Sequence, residues 1–176
     1  MTETHRSTVP PQPRTLRSAL SRFATGVAVV TAPGPTGPIG MTVNSFSAVS
    51  LDPPLVLFCV RHESALCPLF VQAETFCVNV LGAGQRHLSQ QFASSRGADR
   101  FAAVDVRGGR TAAPVLAAAI AVFECRAEAT VPAGDHEIVI GRVEAVQVGQ
   151  ADPLVFFGGS YRELEDLQPD PWAVLA

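Results

Sequence analysis

The chain has 176 residues, 47% of them hydrophobic and 16% charged, enough for one domain with a sizeable buried core, which excludes disorder of the whole chain. Its formal net charge of -3 supplies no basic face, so nucleic acid is excluded as a partner, and any phosphate must be held by backbone N–H groups, hydroxyls and a few of the 13 cationic side chains, all of them Arg. The longest apolar run, residues 112–123 with Pro114 inside it, falls short of the roughly 20 residues a membrane helix needs, so no membrane is expected as a partner and cytoplasmic residence is.

Residues 1–13 read as a polar, Pro-bearing mobile tail, and 14–176 as a single domain. Thr15 is expected to cap a short helix in which Leu16, Leu20 and Phe23 form one apolar stripe, with Gly26 as its end. Residues 27–31 have strand composition, and 32–38, rich in Pro and Gly, read as a reversing loop. The next stretch, 40–54, would then be the second arm of a hairpin. It carries Thr42, Asn44, Ser45, Ser47 and Ser50 at strand period and closes on Asp52-Pro53-Pro54, which should fix an extended exit. So many donors on one strand suit a polar, anionic small molecule. The same residues also describe an edge strand whose hydroxyls only satisfy nearby backbone.

Residues 55–60 are a continuous apolar run of strand length, followed by a helix through Phe70 that is expected to begin at a Ser64 cap. Residues 75–81 read as a strand and 85–92 as a helix with Leu88 and Phe92 on one face. The loop 93–101 holds small residues with Arg96 and Arg100, a composition suited to an anion. Two long strands follow at 120–131 and 137–148, joined across 132–136, then a short strand at 154–157. About six or seven strands, few and peripheral helices, and no alternation of strand with long helix predict a mainly β fold, a closed antiparallel barrel rather than a doubly wound sheet.

Several chemistries lack their residues. Gly82-Ala83-Gly84 is followed by Gln85, Arg86 and His87, which is no dinucleotide fingerprint. No Gly-x-Ser-x-Gly elbow occurs, and His136 stands beside Asp135 in sequence rather than across a pocket, so a hydrolase triad is not supported. Cys59, Cys67, Cys77 and Cys125 match no paired CxxC spacing and read as reduced, mostly buried thiols; the four His are too scattered for a metal centre. Gly134-Asp135-His136 reads either as an ordinary hairpin turn or as a turn that presents an imidazole.

Taken together and in order, Phe23-Ala-Thr-Gly-Val-Ala-Val-Val-Thr31, Thr42-Val-Asn-Ser-Phe-Ser-Ala-Val-Ser50 with Pro53-Pro54-Leu55, Phe92 with Arg100-Phe101, Gly134-Asp135-His136 with Gly141, and Phe157-Gly-Gly-Ser-Tyr161-Arg162 resemble the short flavin reductases, the reductase components of two-component flavin monooxygenases, over about residues 15–164. The resemblance implies an FMN-binding split barrel, an antiparallel split β-barrel that is usually a homodimer, reducing FMN or FAD with NADH or NADPH and passing the product to a partner monooxygenase. It implies that Thr42, Val43, Asn44 and Ser45 border the isoalloxazine and ribityl chain, and that Val60, Arg61 and Ser64 lie near the ribityl-phosphate end. Phe92, Ala93 and Arg100 would close the phosphate side, and His136 would face the nicotinamide as the catalytic residue. Ala48 departs from the pattern, standing where relatives often have a second Ser. Flavin carries the redox chemistry, so no nucleophile or metal is required. The alternative is a non-catalytic flavin-binding split-barrel protein. A pyridoxine-phosphate-oxidase-like enzyme shares the architecture but wants a denser set of cationic phosphate ligands.

Overall fold

The computed structural model describes residues 12–94 and 99–164. A short helix α1 (Pro13–Leu20) and a two-residue strand β1 (Thr25–Gly26) lead into β2 (Ala28–Ala32), β3 (Ile39–Val43), β4 (Ser47–Leu51) and β5 (Pro54–Arg61). Helix α2 (Cys67–Gln72), β6 (Thr75–Val80), a single 3-10 turn (Ala83–Gln85) and helix α3 (Arg86–Ala93) follow. Then come β7 (Val106–Arg107), β8 (Val115–Leu116), the long pair β9 (Ala121–Ala133) and β10 (His136–Val148), and the short β11 (Val155–Phe157) and β12 (Ser160–Arg162).

Seven strands make one antiparallel sheet in the order β3-β2-β6-β9-β10-β5-β4. Its two edges, β3 and β4, are separated in sequence by residues 44–46 alone. A link that short reaches little more than about 10 Å at ~3.3–3.6 Å per residue, so the edges must meet there. The sheet therefore curls round on itself but is open along one seam, a split barrel as the family resemblance implies, rather than the closed barrel that the strand pattern alone suggests. The hairpin of β2 with β3 is also as expected, with Ala28 opposite Val43 and Ala32 opposite Ile39.

β2 is buried along its whole length because both of its faces are covered. Ala28, Val30 and Ala32 point into the barrel with Phe58, Phe76, Val78 and Val139, while Val29 joins Leu81, Leu88, Phe92 and Leu116 beneath α3. That double burial is why residues 27–31 read as a continuous apolar run rather than an alternating one. Leu88 and Phe92 of α3 fall on the buried face, as their spacing requires.

Several local expectations are corrected. The 40–54 stretch is not one strand: it spans the end of β3, the link 44–46 and the whole of β4, and Asp52 with a cis-linked Pro53 forms the two-residue turn between β4 and β5. Thr15 lies inside α1, whose first turn is set by Pro13 with no side-chain cap, and the helix ends at Leu20 rather than at Gly26. Leu16, Leu20 and Phe23 join none of the buried clusters of the described residues, being 45%, 64% and 77% exposed. Ser64 does not cap α2; its Oγ accepts the Leu66 N–H in the turn ahead of that helix, which starts at Cys67. The β9–β10 connection is only Gly134 and Asp135, with Gly134 at φ +63°, a backbone conformation that glycine adopts without penalty. Among the described residues the strand segments number twelve rather than six or seven, because the 40–54 stretch divides into β3 and β4 and because β1, β7, β8 and β12 are too short to leave a period; the short strand expected at 154–157 is β11. The expected mobile tail lies, up to residue 11, outside the described residues, as do Arg96 of the 93–101 loop and the chain after residue 164.

Candidate functional site

A cavity of about 700 Å³ opens at the seam, where β3 gives way to β4. Residues 44–46 belong to neither ladder, so sheet pairing does not consume their backbone N–H and C=O groups. Met41, Thr42, Val43, Asn44 and Ser45 form one wall. Two of these hydroxyls are structural. Thr42 Oγ1 donates to the Ser89 carbonyl at 2.6 Å, tying β3 to α3, and Ser45 Oγ accepts the Cys59 N–H at 3.0 Å, tying the link to β5. Asn44 is exposed to the cavity.

The opposite wall comes from the end of β5 and the turn after it. Cys59 and Arg61 face the cavity, followed by Glu63, Ser64 and Leu66. Strand alternation then puts Val60 on the other face, where it is fully buried in the barrel core, so it is the one expected site residue that does not line the cavity. Phe92 and Ala93, at the end of α3, and Arg100 close a third side. Arg100 is held rigidly: its Nε donates to the Ser94 carbonyl at 2.9 Å and its Nη1 to the Gly40 carbonyl at 2.9 Å. This leaves guanidinium N–H groups unspent by those two bonds. Gly40 permits the arrangement, since a Cβ there would lie 2.6 Å from Cε1 of Phe92, whose ring stacks edge-on against Phe101 with centroids 5.0 Å apart.

His136 completes the lining. It is the first residue of β10, opposite Arg61 of β5, and the turn before it is fastened to β5 by the His62 N–H, which donates to the Asp135 carbonyl at 3.0 Å. The imidazole Nδ1 sits 2.7 Å from Asp135 Oδ1. That hydrogen bond, with the Arg61 guanidinium nearby, holds the Asp135 carboxyl below its ordinary range, so it stays ionised and accepting. An ionised partner fixes the tautomer: Nδ1 carries the proton and donates, and Nε2 is the ring atom left for the cavity. Arg61 lies 3.8 Å from Asp135 and 3.9 Å from Glu63, loose enough contacts to be exchanged for a ligand.

Thus Thr42, Val43, Asn44, Ser45, Arg61, Ser64, Phe92, Ala93, Arg100 and His136 converge on one cavity from five separate stretches of chain. Met41, Cys59, Glu63 and Leu66 also line it without having been anticipated. Cys59 was findable, because it stands two residues before Arg61 on a strand and must share its face. Glu63 and Leu66 sit in an irregular turn that carries no period. Two arginines against one glutamate, beside leftover backbone donors, make a site for a planar, hydrogen-bonding, anionic ligand.

The family described as Flavin reductase like domain matches residues 20–165. Among curated relatives, FMN reductase (NADH) SmoA of Agrobacterium fabrum is 46% identical over 148 residues, covering 84% of each chain. HsaB of Mycobacterium tuberculosis, the reductase subunit of a flavin-dependent monooxygenase, is 36% identical over 162 residues, 90% of this chain and 86% of its own. Among solved structures, the NADH:FAD oxidoreductase SgcE6 of Streptomyces globisporus, in complex with NAD and FAD fragments, superposes with a TM-score of 0.85 at 38% identity, covering 92% of this chain and 98% of that one.

Proposed function

Since the chain belongs to the flavin reductase-like family, we propose that it reduces FMN or FAD with NADH or NADPH and hands the reduced flavin to a partner flavin-dependent monooxygenase. The carrying observation is the convergence of ten expected residues on the cavity at the barrel seam. When bound, flavin supplies the acceptor for a hydride from the nicotinamide ring.

The residues present fit such a ligand. Backbone groups of 44–46 left outside both ladders, with the Asn44 amide, can pair with the polar edge of an isoalloxazine, and Met41, Val43 and Phe92 give apolar area for its faces. Arg61 and Arg100 are the two arginines of the cavity among the described residues and take a ribityl phosphate. His136, with Nδ1 held by Asp135, presents Nε2 to orient the nicotinamide carboxamide and to move a proton as negative charge builds on the acceptor. Chain rigidity does the rest: the ties from Thr42 to α3 and from Ser45 to β5 keep the wall in place while two rings stack within about 3.5 Å.

The single domain runs over residues 14–176 in this proposal, and the protein is a cytoplasmic homodimer with its cavity at the subunit boundary. Leu16, Leu20 and Phe23 near α1, and separately Leu51 at 94% exposure, are uncovered apolar side chains of the kind a subunit contact would bury. The free state of all four cysteines suits a reducing compartment, and no helix among the described residues is long and apolar enough to cross a membrane. The decisive test is NADH oxidation with and without FMN, FAD or riboflavin. Turnover that requires flavin and saturates supports the proposal; flavin binding without turnover on either nicotinamide overturns it. Light scattering that gives 18.5 kDa would remove the dimer.

A further inference from the structure

Two smaller cavities lie in succession beside the seam cavity, and the second is cationic. The first, about 210 Å³, shares Thr42, Val43, Asn44 and Ala93 with the main cavity and is otherwise bounded by Val27, Ser89, Phe156 and Tyr161. The second, about 300 Å³, lies beyond Tyr161, which lines both, and is walled by Ala83, Arg86, Leu154, Arg162 and Glu163. Tyr161 is fixed in this dividing position: its OH lies 2.9 Å from Oγ of the fully buried Ser89, its ring is edge-on to Phe156 at 5.4 Å, and the Arg86 guanidinium sits 5.1 Å over the ring. Neither Arg86 nor Arg162 is in an ion pair among the described residues, whereas Arg61, Arg126 and Arg142 are. Two guanidiniums beside an aromatic side chain, with Glu163 the one acid in the wall among the described residues, form a cleft that takes a phosphate next to a planar base.

We propose that the cleft of Arg86, Tyr161 and Arg162 binds the adenosine-diphosphate portion of a dinucleotide whose redox ring lies in the seam cavity. This inference rests on the flavin reductase reading. That portion is common to NAD(P)H and FAD and is absent from FMN and riboflavin, so the donor and the acceptor are the two sources to separate. The three cavities are neighbours through their walls: Thr42, Val43, Asn44 and Ala93 border both the seam cavity and the first small one, and Tyr161 borders both small ones, which places the two arginines one side chain beyond the seam's own neighbour.

The test uses R86Q, R162Q and the double variant, with R126Q as a control for lost charge and R86K to restore the cation over Tyr161. Steady-state turnover is measured with NADH against FMN, and with FAD in its place. A rise of about 10-fold or more in the KM for NADH with FMN as acceptor, larger than any change in kcat and partly restored by R86K, assigns the cleft to the nicotinamide dinucleotide. A rise in the KM for FAD with that for FMN unchanged assigns it to FAD. All constants within twofold of the R126Q values overturn the proposal, and so does an equal rise for FMN and FAD, which would mark a general disturbance. Calorimetry with ADP separates this inference from the functional reading: ADP bound by the wild type and lost in the double variant keeps the cleft even if no flavin supports turnover, and no ADP binding by the wild type removes it.

Discussion

Two polar regions of the barrel are built from similar side chains and end in opposite states. Inside the sheet, Asn79 is fully buried, donates through Nδ2 to the Val29 carbonyl at 3.1 Å and to Thr31 Oγ1 at 3.2 Å, and accepts the Leu116 N–H at 2.8 Å. Beside it the 2% exposed carboxylate of Glu124 accepts the Thr111 N–H at 2.8 Å and Gln147 Nε2 at 3.5 Å. At the seam, Asn44 is exposed, the backbone of 44–46 lies outside the ladders, and Arg61 has only distant partners. A buried polar group whose capacity is filled within the chain fixes the fold, because nothing else is near enough to satisfy it. One left partly filled beside open space is available to a ligand. Polar residue type does not tell the two apart; the closure of the hydrogen-bond account does.

The largest expected effect breaks the first region. Asn79→Ala should lower stability by about 3 kcal/mol, since it strands the Leu116 N–H and two acceptors at a site that water cannot reach. Urea unfolding would show a lower midpoint, while flavin affinity of the folded protein stays near wild type. An unchanged midpoint would mean that this region is not what holds the barrel strands in place. His136→Ala should do the reverse. The side chain ends a two-residue turn and leaves no cavity, so the melting temperature should move by no more than about 2–4 °C, while flavin reduction by NADH in a stopped-flow trace slows roughly 10-fold or more. Equal reduction rates across the NADH range would return Gly134-Asp135-His136 to an ordinary turn. Arg61→Gln divides the cavity further. Losing one charge-assisted bond of about 1.5 kcal/mol should raise the KM for FMN about 10-fold and leave that for riboflavin alone. A parallel rise for both would place Arg61 away from the phosphate.

The contrast also sets what the sequence could reveal. The barrel was legible because β5, β6, β9 and β10 are long enough to carry a pattern and because the Pro- and Gly-rich turn between β2 and β3 is unambiguous. The seam was not, since β3 and β4 run on in sequence as one hydroxyl-rich strand, and only the pairing of β4 with β5 shows that the chain crosses the seam. Motif order placed ten residues on the cavity, whereas Val60 failed on a parity rule that its neighbour Arg61 already implied. Nothing local distinguishes Thr42 and Ser45, whose hydroxyls are committed to Ser89 and Cys59, from Asn44, whose amide faces open space. Those partners are 47 and 14 residues away in sequence, beyond any local pattern.

The smallest effect needs no substitution, because the cysteines divide along the same line. Cys59 is half-buried on the cavity wall, while Cys77 and Cys125 lie fully buried in the sheet around Asn79 and Glu124. Burial, with the nearby acidic side chains, pushes the Cys77 and Cys125 thiols up from 9.0 to about 12, so neither offers a thiolate near neutral pH. A maleimide reagent should therefore label Cys59 ahead of both, and saturating FMN should slow that labelling by covering the wall. Mass spectrometry of the digested protein reads each site; labelling of Cys59 that FMN leaves unchanged would move the flavin off β5. The sign of the raised values gives a second readout. The unfolded chain ionises these thiols above 9.0 while the folded chain holds them neutral, so their contribution is intact below 9.0 and stability declines as pH rises from there toward about 12. Replacing both with Ser would flatten that decline but place two hydroxyls in the sheet interior, so Cys→Ala is the cleaner comparison, with flavin affinity near neutral pH as the quantity that should not follow.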